Sequence, residues 1–221
     1  MTLIAVMAIM VLFATALLAV APTVQMEVQR EKELESIRRG EEIADAIRKY
    51  VVFYRGSKLP ETIDDLLEGL PQGTKKLQIL RPSAATDPLA DDGKWGLVKP
   101  EPSVVAAFAK RVQTYNNGLL PPNPSPLLDR FAVVIVNNVN TETTDDASSF
   151  DALDIDFPTD NTPFIGVVSR SHRNSVLTYY GIDNHSKWIF TPLFRGSGQN
   201  VNFGDRSRPP VPPRSPQPPR E

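Results

Sequence analysis

The sequence predicts an α+β protein in which one long N-terminal helix packs on a small antiparallel sheet. Three observations carry this. An uncharged apolar run opens the chain from Leu3 to Ala21, and an amphipathic pattern continues it to Tyr54. Short β-branched and aromatic runs then recur in the second half.

The first run is apolar except for Thr15 and contains no Gly or Pro. At 1.5 Å per residue it spans roughly 28 Å, the hydrocarbon thickness of a bilayer. A cleavable secretory signal would begin with basic residues and carry a shorter apolar core, ending at a small-residue site such as Ala19-Val20-Ala21. A plain single-pass anchor is a second reading. The residues after Ala21 favour a third, in which the run is the buried half of a longer helix.

Beyond Pro22 the apolar face narrows rather than stops. Val24, Val28, Leu34, Ile37, Ala44, Ile47, Val51 and Tyr54 recur mostly at three- and four-residue steps. Between them, Glu31, Lys32, Glu33, Glu35, Arg38, Arg39, Glu41, Glu42, Asp45, Arg48 and Lys49 are expected to form a solvated face. Glu35 with Arg39 and Asp45 with Lys49 attract at i, i+4, whereas Glu31 and Glu35 repel. Pro22 lacks an N–H and crowds the carbonyl of Leu18, so a kink without termination is expected. Gly40 reads as a second soft spot. Residues 2–55 then form a rod of roughly 80 Å. Positive charge flanks the apolar run only on its C-terminal side, which by itself would place that side in the cytoplasm. A basic leader ahead of Met1 would restore the opposite orientation.

A short helix is expected from Pro60-Glu61-Thr62 to about Leu70, capped by Thr62 or Ser57 and stopped by Gly69 and Pro71. Ser103 to Tyr115 reads as a second, with Ser103 as N-cap. Leu120–Pro126 is rich in proline and reads as a loop. Phe131–Val136 reads as a buried strand, and Phe164–Arg170, Ser175–Tyr180 and Lys187–Thr191 as three further strands. Turns at Ser171–Asn174 and Gly181–Ser186 would join the last three into a meander. The Arg206–Glu221 tail, dense in Pro and Arg, is expected to be extended and solvated; its Pro-x-x-P spacing suits an aromatic groove or an acidic surface.

Composition narrows the chemistry. Net charge is −2 and there is no cysteine, which argues against a nucleic-acid partner, a thiolate nucleophile and a Cys-based zinc site. His172 and His185 fall in expected turns, and no third ligand accompanies them at helical spacing. Ser175, His185 and Asp183 can be assembled into a catalytic set only by choice, and Ser197 between two glycines reads as a flexible turn. No catalytic or cofactor-binding residue stands out. Glu142–Asp160 is rich in carboxylates and contains no Lys or Arg. Asp151, Asp154 and Asp156 are its candidate calcium ligands, set against a default of a solvated acidic loop.

Several motifs in order resemble the type IV pilin and type II secretion pseudopilin family. Met1-Thr2-Leu3-Ile4-Ala5 with the apolar run resembles the start of processed subunits, and Pro22 sits where a helix proline is usual. Arg30-Glu31-Lys32-Glu33-Leu34-Glu35 resembles the stem, and Leu59 to Leu67 the short helix after it. Asp87-Pro88-Leu89 followed by Lys94-Trp95-Gly96-Leu97-Val98 resembles the turn into a strand. Ile165-Gly166-Val167-Val168-Ser169 and Lys187-Trp188-Ile189-Phe190 resemble the closing strands. The resemblance covers 1–98 and roughly 164–192. Met1 stands where Phe is usual, and Ala5 where family members carry a Glu that neutralises a neighbour's N-terminal amine.

The resemblance implies a pilin-like fold in four parts. These are an assembly helix at 1–24, a stem at 25–56, a head at 57–205 with an unmatched insert at about 99–163, and a tail at 206–221. It implies a non-catalytic structural subunit of a type II secretion or type IV pilus-type machine. That subunit is single-pass in the bacterial inner membrane, with its head in the periplasm and a part in protein transport. Expected partners are other pilin-like subunits, an inner-membrane assembly platform and membrane lipid, with Met1, Ala5 and Pro22 in the assembly region. Calcium in a loop near the sheet is known in several members. Two alternatives differ in class: a monomeric membrane-tethered binding module using the acidic loop and Pro-rich tail, and an anchored hydrolase.

Overall fold

A computed structural model describes residues 2–131, 157–159 and 161–196, without the side chains of 2–4, 8 and 14–23. Helix α1 runs from Thr2 to Phe53, about 78 Å at helical rise. Pro22 lies inside it without ending it. The helix closes where Arg55 and Gly56 take positive φ, 52° and 74°. Gly56 N–H donates to Val51 O at 2.8 Å and Arg55 N–H to Val52 O at 3.1 Å, the paired closure of a Schellman motif.

The buried stripe on α1 is Glu33, Ser36, Ile37, Gly40, Ile43, Ala44, Ala46, Ile47, Tyr50 and Val51. Three expectations are corrected here. Glu33, placed on the solvated face, is 0 % exposed, while Leu34, placed on the apolar face, is 44 % exposed. Gly40 is no soft spot. The Phe190 ring lies against it so closely that an added Cβ would overlap three ring carbons. The stem's ion pairs form as spaced, Arg39–Glu35 and Lys49–Asp45 both at 2.8 Å.

Helix α2 spans Ile63–Glu68 and carries a capping box. Asp65 N–H donates to Thr62 Oγ1 while the Asp65 carboxylate accepts from Thr62 N–H. A small hairpin, β1 Leu70–Gln72 with β2 Lys75–Leu77, follows Gly69. Strand β3, Trp95–Val98, begins at the Trp-Gly step. Helix α3 spans Pro102–Tyr115; Glu101 rather than Ser103 occupies its N-cap, because Pro102 supplies the pre-set φ of the first turn. Residues 126–131 are helical, so Phe131 ends a helical segment instead of opening a strand. The remainder of that expected strand, 132–136, lies outside the described residues, as do the acidic stretch through Asp156 and the tail.

The second half departs from the expected meander. β4, Gly166–Ser169, pairs antiparallel with β3 on one side and with β7, Ile189–Phe190, on the other. Between β4 and β7 the chain makes a separate hairpin, β5 Asn174–Tyr179 with β6 Ile182–Asn184. The expected turn at Gly181–Ser186 is therefore a strand followed by a 3-10 turn, His185–Lys187. The hairpin loop is only Tyr180-Gly181, both at positive φ (50° and 73°), the geometry that matches strand twist in a two-residue connection.

Three-stranded sheet and stem share one core. Trp95, Leu97, Val167, Val168, Ile189 and Phe190 pack with Ile43, Ile47, Tyr50 and Val51. Trp95 and Phe190 meet edge to face with ring centroids 5.9 Å apart, and Trp95 Nε1–H donates to Ala84 O. The result is a mixed helix and antiparallel-sheet protein whose long helix is packed over its C-terminal half.

Candidate assembly helix and the network that holds it

The head covers α1 only from about Gln29 onward. Ahead of that point the described side chains face outward all round the helix. Val6, Met7 and Ile9 to Phe13 are each 53–69 % exposed, and Ala5 is exposed too. Val24, Met26 and Val28 continue the exposed apolar surface. A helix apolar on every side has no stable place in water by itself and calls for lipid or neighbouring helices. Among the described residues, no helix is long and apolar enough to cross a membrane. Of the residues expected in assembly, Ala5 lies on this surface, Pro22 lies within α1, and Met1 is outside the described residues.

Where the stem meets the head, the contact turns polar. Glu33 points into the bulge of β5. That strand pairs with β6 at Asn174↔Asn184 and Tyr179↔Ile182, leaving Ser175–Thr178 against Asp183 alone. Amides that β6 leaves unpaired are taken by the carboxylate. Val176 N–H donates to Oε1 and Oε2 at 2.9 and 3.0 Å, and Leu177 N–H to Oε2 at 2.7 Å. Gln29 Nε2–H adds a bond to Oε1 at 2.9 Å, one helical turn earlier, and also donates to Asn174 O.

His185 Nε2 lies 3.0 Å from Glu33 Oε1, and its Nδ1 lies 3.3 Å from Ser171 Oγ. Ser171 N–H donates to Ser169 Oγ, whose hydroxyl donates to Asp87 Oδ2 at 2.7 Å. Ser36 Oγ–H donates to Asp87 Oδ1, bringing the path back to α1 three residues from where it left. All six residues are buried. The circuit ties stem, hairpin and sheet together, and among the described residues no buried side-chain polar atom lacks a partner.

The two carboxylates at its ends differ. Burial opposes ionisation of Glu33, but the amides of Val176 and Leu177, with Gln29 and His185, outweigh it and hold the carboxyl below its ordinary range. Asp87 goes the other way. Burial pushes it up against the bonds from Ser169, Leu89 and Ser36. On the open face of the stem, hydrogen bonds from Arg38 and Arg39 bring Glu35 down to about 2.

The sequence alone puts His185 in an exposed turn and allows it to be grouped with Ser175 and Asp183. The structure separates them. His185 is 2 % exposed, Asp183 is exposed, and the Ser175 hydroxyl bonds Leu177 O. His172 is exposed in a loop. The residue types of a hydrolytic triad do meet, as Ser171, His185 and Glu33, but the serine is buried with its partners and the carboxylate is filled by backbone amides. That arrangement ties the hairpin to the stem. These residues had one signal in the sequence. Stepping back four residues from Ile37 and four from Gly40 lands on Glu33 and Ser36, polar types at core positions.

The candidate calcium ligands Asp151, Asp154 and Asp156 and the turn at Ser197 lie outside the described residues. Among the described residues no three acidic or histidine side chains converge on a point where an ion would sit. No protein-family model, curated protein or solved structure matches this chain.

Proposed function

We propose that this chain is a pilin-like structural subunit of pseudopilin type. It is held single-pass in a bacterial inner membrane with its head in the periplasm, and it assembles through the apolar N-terminal part of α1. The observation that carries this reading is the continuity of α1. One helix bears an outward apolar surface at one end and forms the core of an antiparallel-sheet head at the other. An anchor needs only to cross lipid and can be joined to its head by any linker. A subunit whose helix must transmit packing between neighbours needs the rigid connection seen here. Lipid is as apolar as the helix, so association would be driven by side-chain packing rather than by escape from water.

The order of elements after the stem supports the same reading: a short capped helix, an Asp-Pro turn into a Trp-Gly strand, then the closing strands. The expected partners are copies of this or similar subunits, an inner-membrane platform and lipid. Co-capture from detergent-solubilised membranes of two differently tagged copies tests the proposal. The native pair should co-purify, and Leu12→Arg in one copy should remove the association while leaving the melting of the head unchanged. Absence of co-capture for the native pair, or its persistence in the Leu12→Arg form, would overturn it.

A further inference from the structure

We propose that the bulged segment Ser175–Thr178 is an acid-released strap: Glu33 as a carboxylate holds it to α1, and a proton on Glu33 lets it go. The bulge creates the dependence. β6 pairs with β5 only at Asn174 and Tyr179, so the amides of Val176 and Leu177 rely on the helix for a partner. Both Glu33 oxygens are occupied by donors alone. Oε1 receives Val176, Gln29 and His185, and Oε2 receives Val176 and Leu177. A carboxylate accepts all of these; a carboxylic acid has one oxygen that must itself donate.

The groups around Glu33 decide where an added proton can go. From α1 itself the neighbour is Gln29, which is not titratable, and from β5 only amides arrive. From the 3-10 turn comes His185, and through Ser171 and Ser169 the far end of the path is Asp87. Glu41, two turns along α1, is engaged by Tyr179 and Arg195. Arg173 and Asp183, on either side of the hairpin, are exposed. His185 meets Glu33 Oε1 through Nε2 at 3.0 Å and Ser171 Oγ through Nδ1 at 3.3 Å. A proton on Glu33 turns one of its oxygens into a donor that faces other donors, and the strap amides lose part of their acceptor.

Release is local. The hairpin ends stay fixed by Tyr179 OH to Glu41, Arg111 to Gly181 O and Trp188 Nε1–H to Ile182 O. Val176 is already 47 % exposed, and Leu177 is half-buried against the edge of the core, so release lifts one apolar side chain off the core while its fully buried residues stay in place.

Amide hydrogen exchange on the full-length protein in detergent, corrected for intrinsic rates, tests this. Protection at Val176 and Leu177 should fall by about tenfold or more between about pH 7 and about pH 3, while Val167 and Val168 stay protected. Glu33→Gln should remove the protection at both pH values. Asp87→Asn, at the other end of the path, should keep the pH step. Strap protection that is flat with pH, that is lost together with β4, or whose step disappears in Asp87→Asn would overturn the proposal.

Discussion

His185 Nε2 and Glu33 Oε1 stand 3.0 Å apart with both side chains nearly sealed from solvent, 2 % and 0 % exposed. The pair joins residues 152 positions apart in the chain. It also sets the cost of losing the acid. Glu33→Ala leaves the buried imidazole and the part-buried amides of Val176 and Leu177 without their acceptor; an orphaned buried donor costs about 1–3 kcal/mol and a part-buried one less. We expect a loss of about 3–4 kcal/mol in urea unfolding of the head, against less than about 0.5 kcal/mol for the neighbouring Glu31→Ala on the exposed face. Equal effects at the two positions would contradict the clasp.

Gly40 gives a prediction of opposite sign to helix propensity. In an exposed helix, Gly→Ala stabilises by about 1 kcal/mol. Here the new methyl meets the Phe190 ring, which is held between α1 and Trp95. Gly40→Ala should lower stability by about 2 kcal/mol, and Phe190→Leu added to it should recover part of that loss. A Gly40→Ala protein that melts higher than the parent would show that the ring yields freely.

The pH dependence of stability has two components of opposite sign. Glu33 has a folded pKa below its unfolded value, so its contribution is full above the unfolded value and disappears as pH falls through the folded one. Asp87 has a folded pKa above its unfolded value. The native state therefore holds its proton longer, and stability falls as pH rises through that window. Asn at position 87 keeps an acceptor for Leu89 and Ser36 and offers Ser169 a donor, without a buried charge. Asp87→Asn should therefore melt at or above the parent at pH 7, with a gain on the order of 1 kcal/mol at most, and the advantage should shrink on acidification. Thermal unfolding followed across pH checks this; a lower melting temperature at neutral pH would show that the charge itself is needed.

Elements built from local signals were legible in the sequence. The stem shows its three-and-four spacing, α2 its capping Thr62, α3 its period and β4 its apolar run, while β3 was marked only by the resemblance of its Trp-Gly step. The features that escaped depend on distant partners. Glu33 looks like any stem carboxylate until the bulge of β5, more than 140 positions later, supplies its donors. The β5–β6 hairpin is hidden because Ile182–Asn184 is short and ends in a polar pair, resembling a turn. Gly40 reads as weakness because nothing local announces the ring of Phe190. The exposed apolar side chains described ahead of Gln29, Val6, Met7 and Ile9 to Phe13, belong to an uncharged run that was legible in the sequence.

Whether that surface joins subunits is open to a direct measurement, because the chain has no cysteine to confuse it. Ile9→Cys and Val11→Cys place two thiols roughly 200° apart around the helix. On oxidation in native membranes, a helix packed among like helices should give a ladder of dimers, trimers and larger species from the double variant, and dimers alone from each single one. A double variant that remains monomeric under the same oxidation would contradict assembly through this helix.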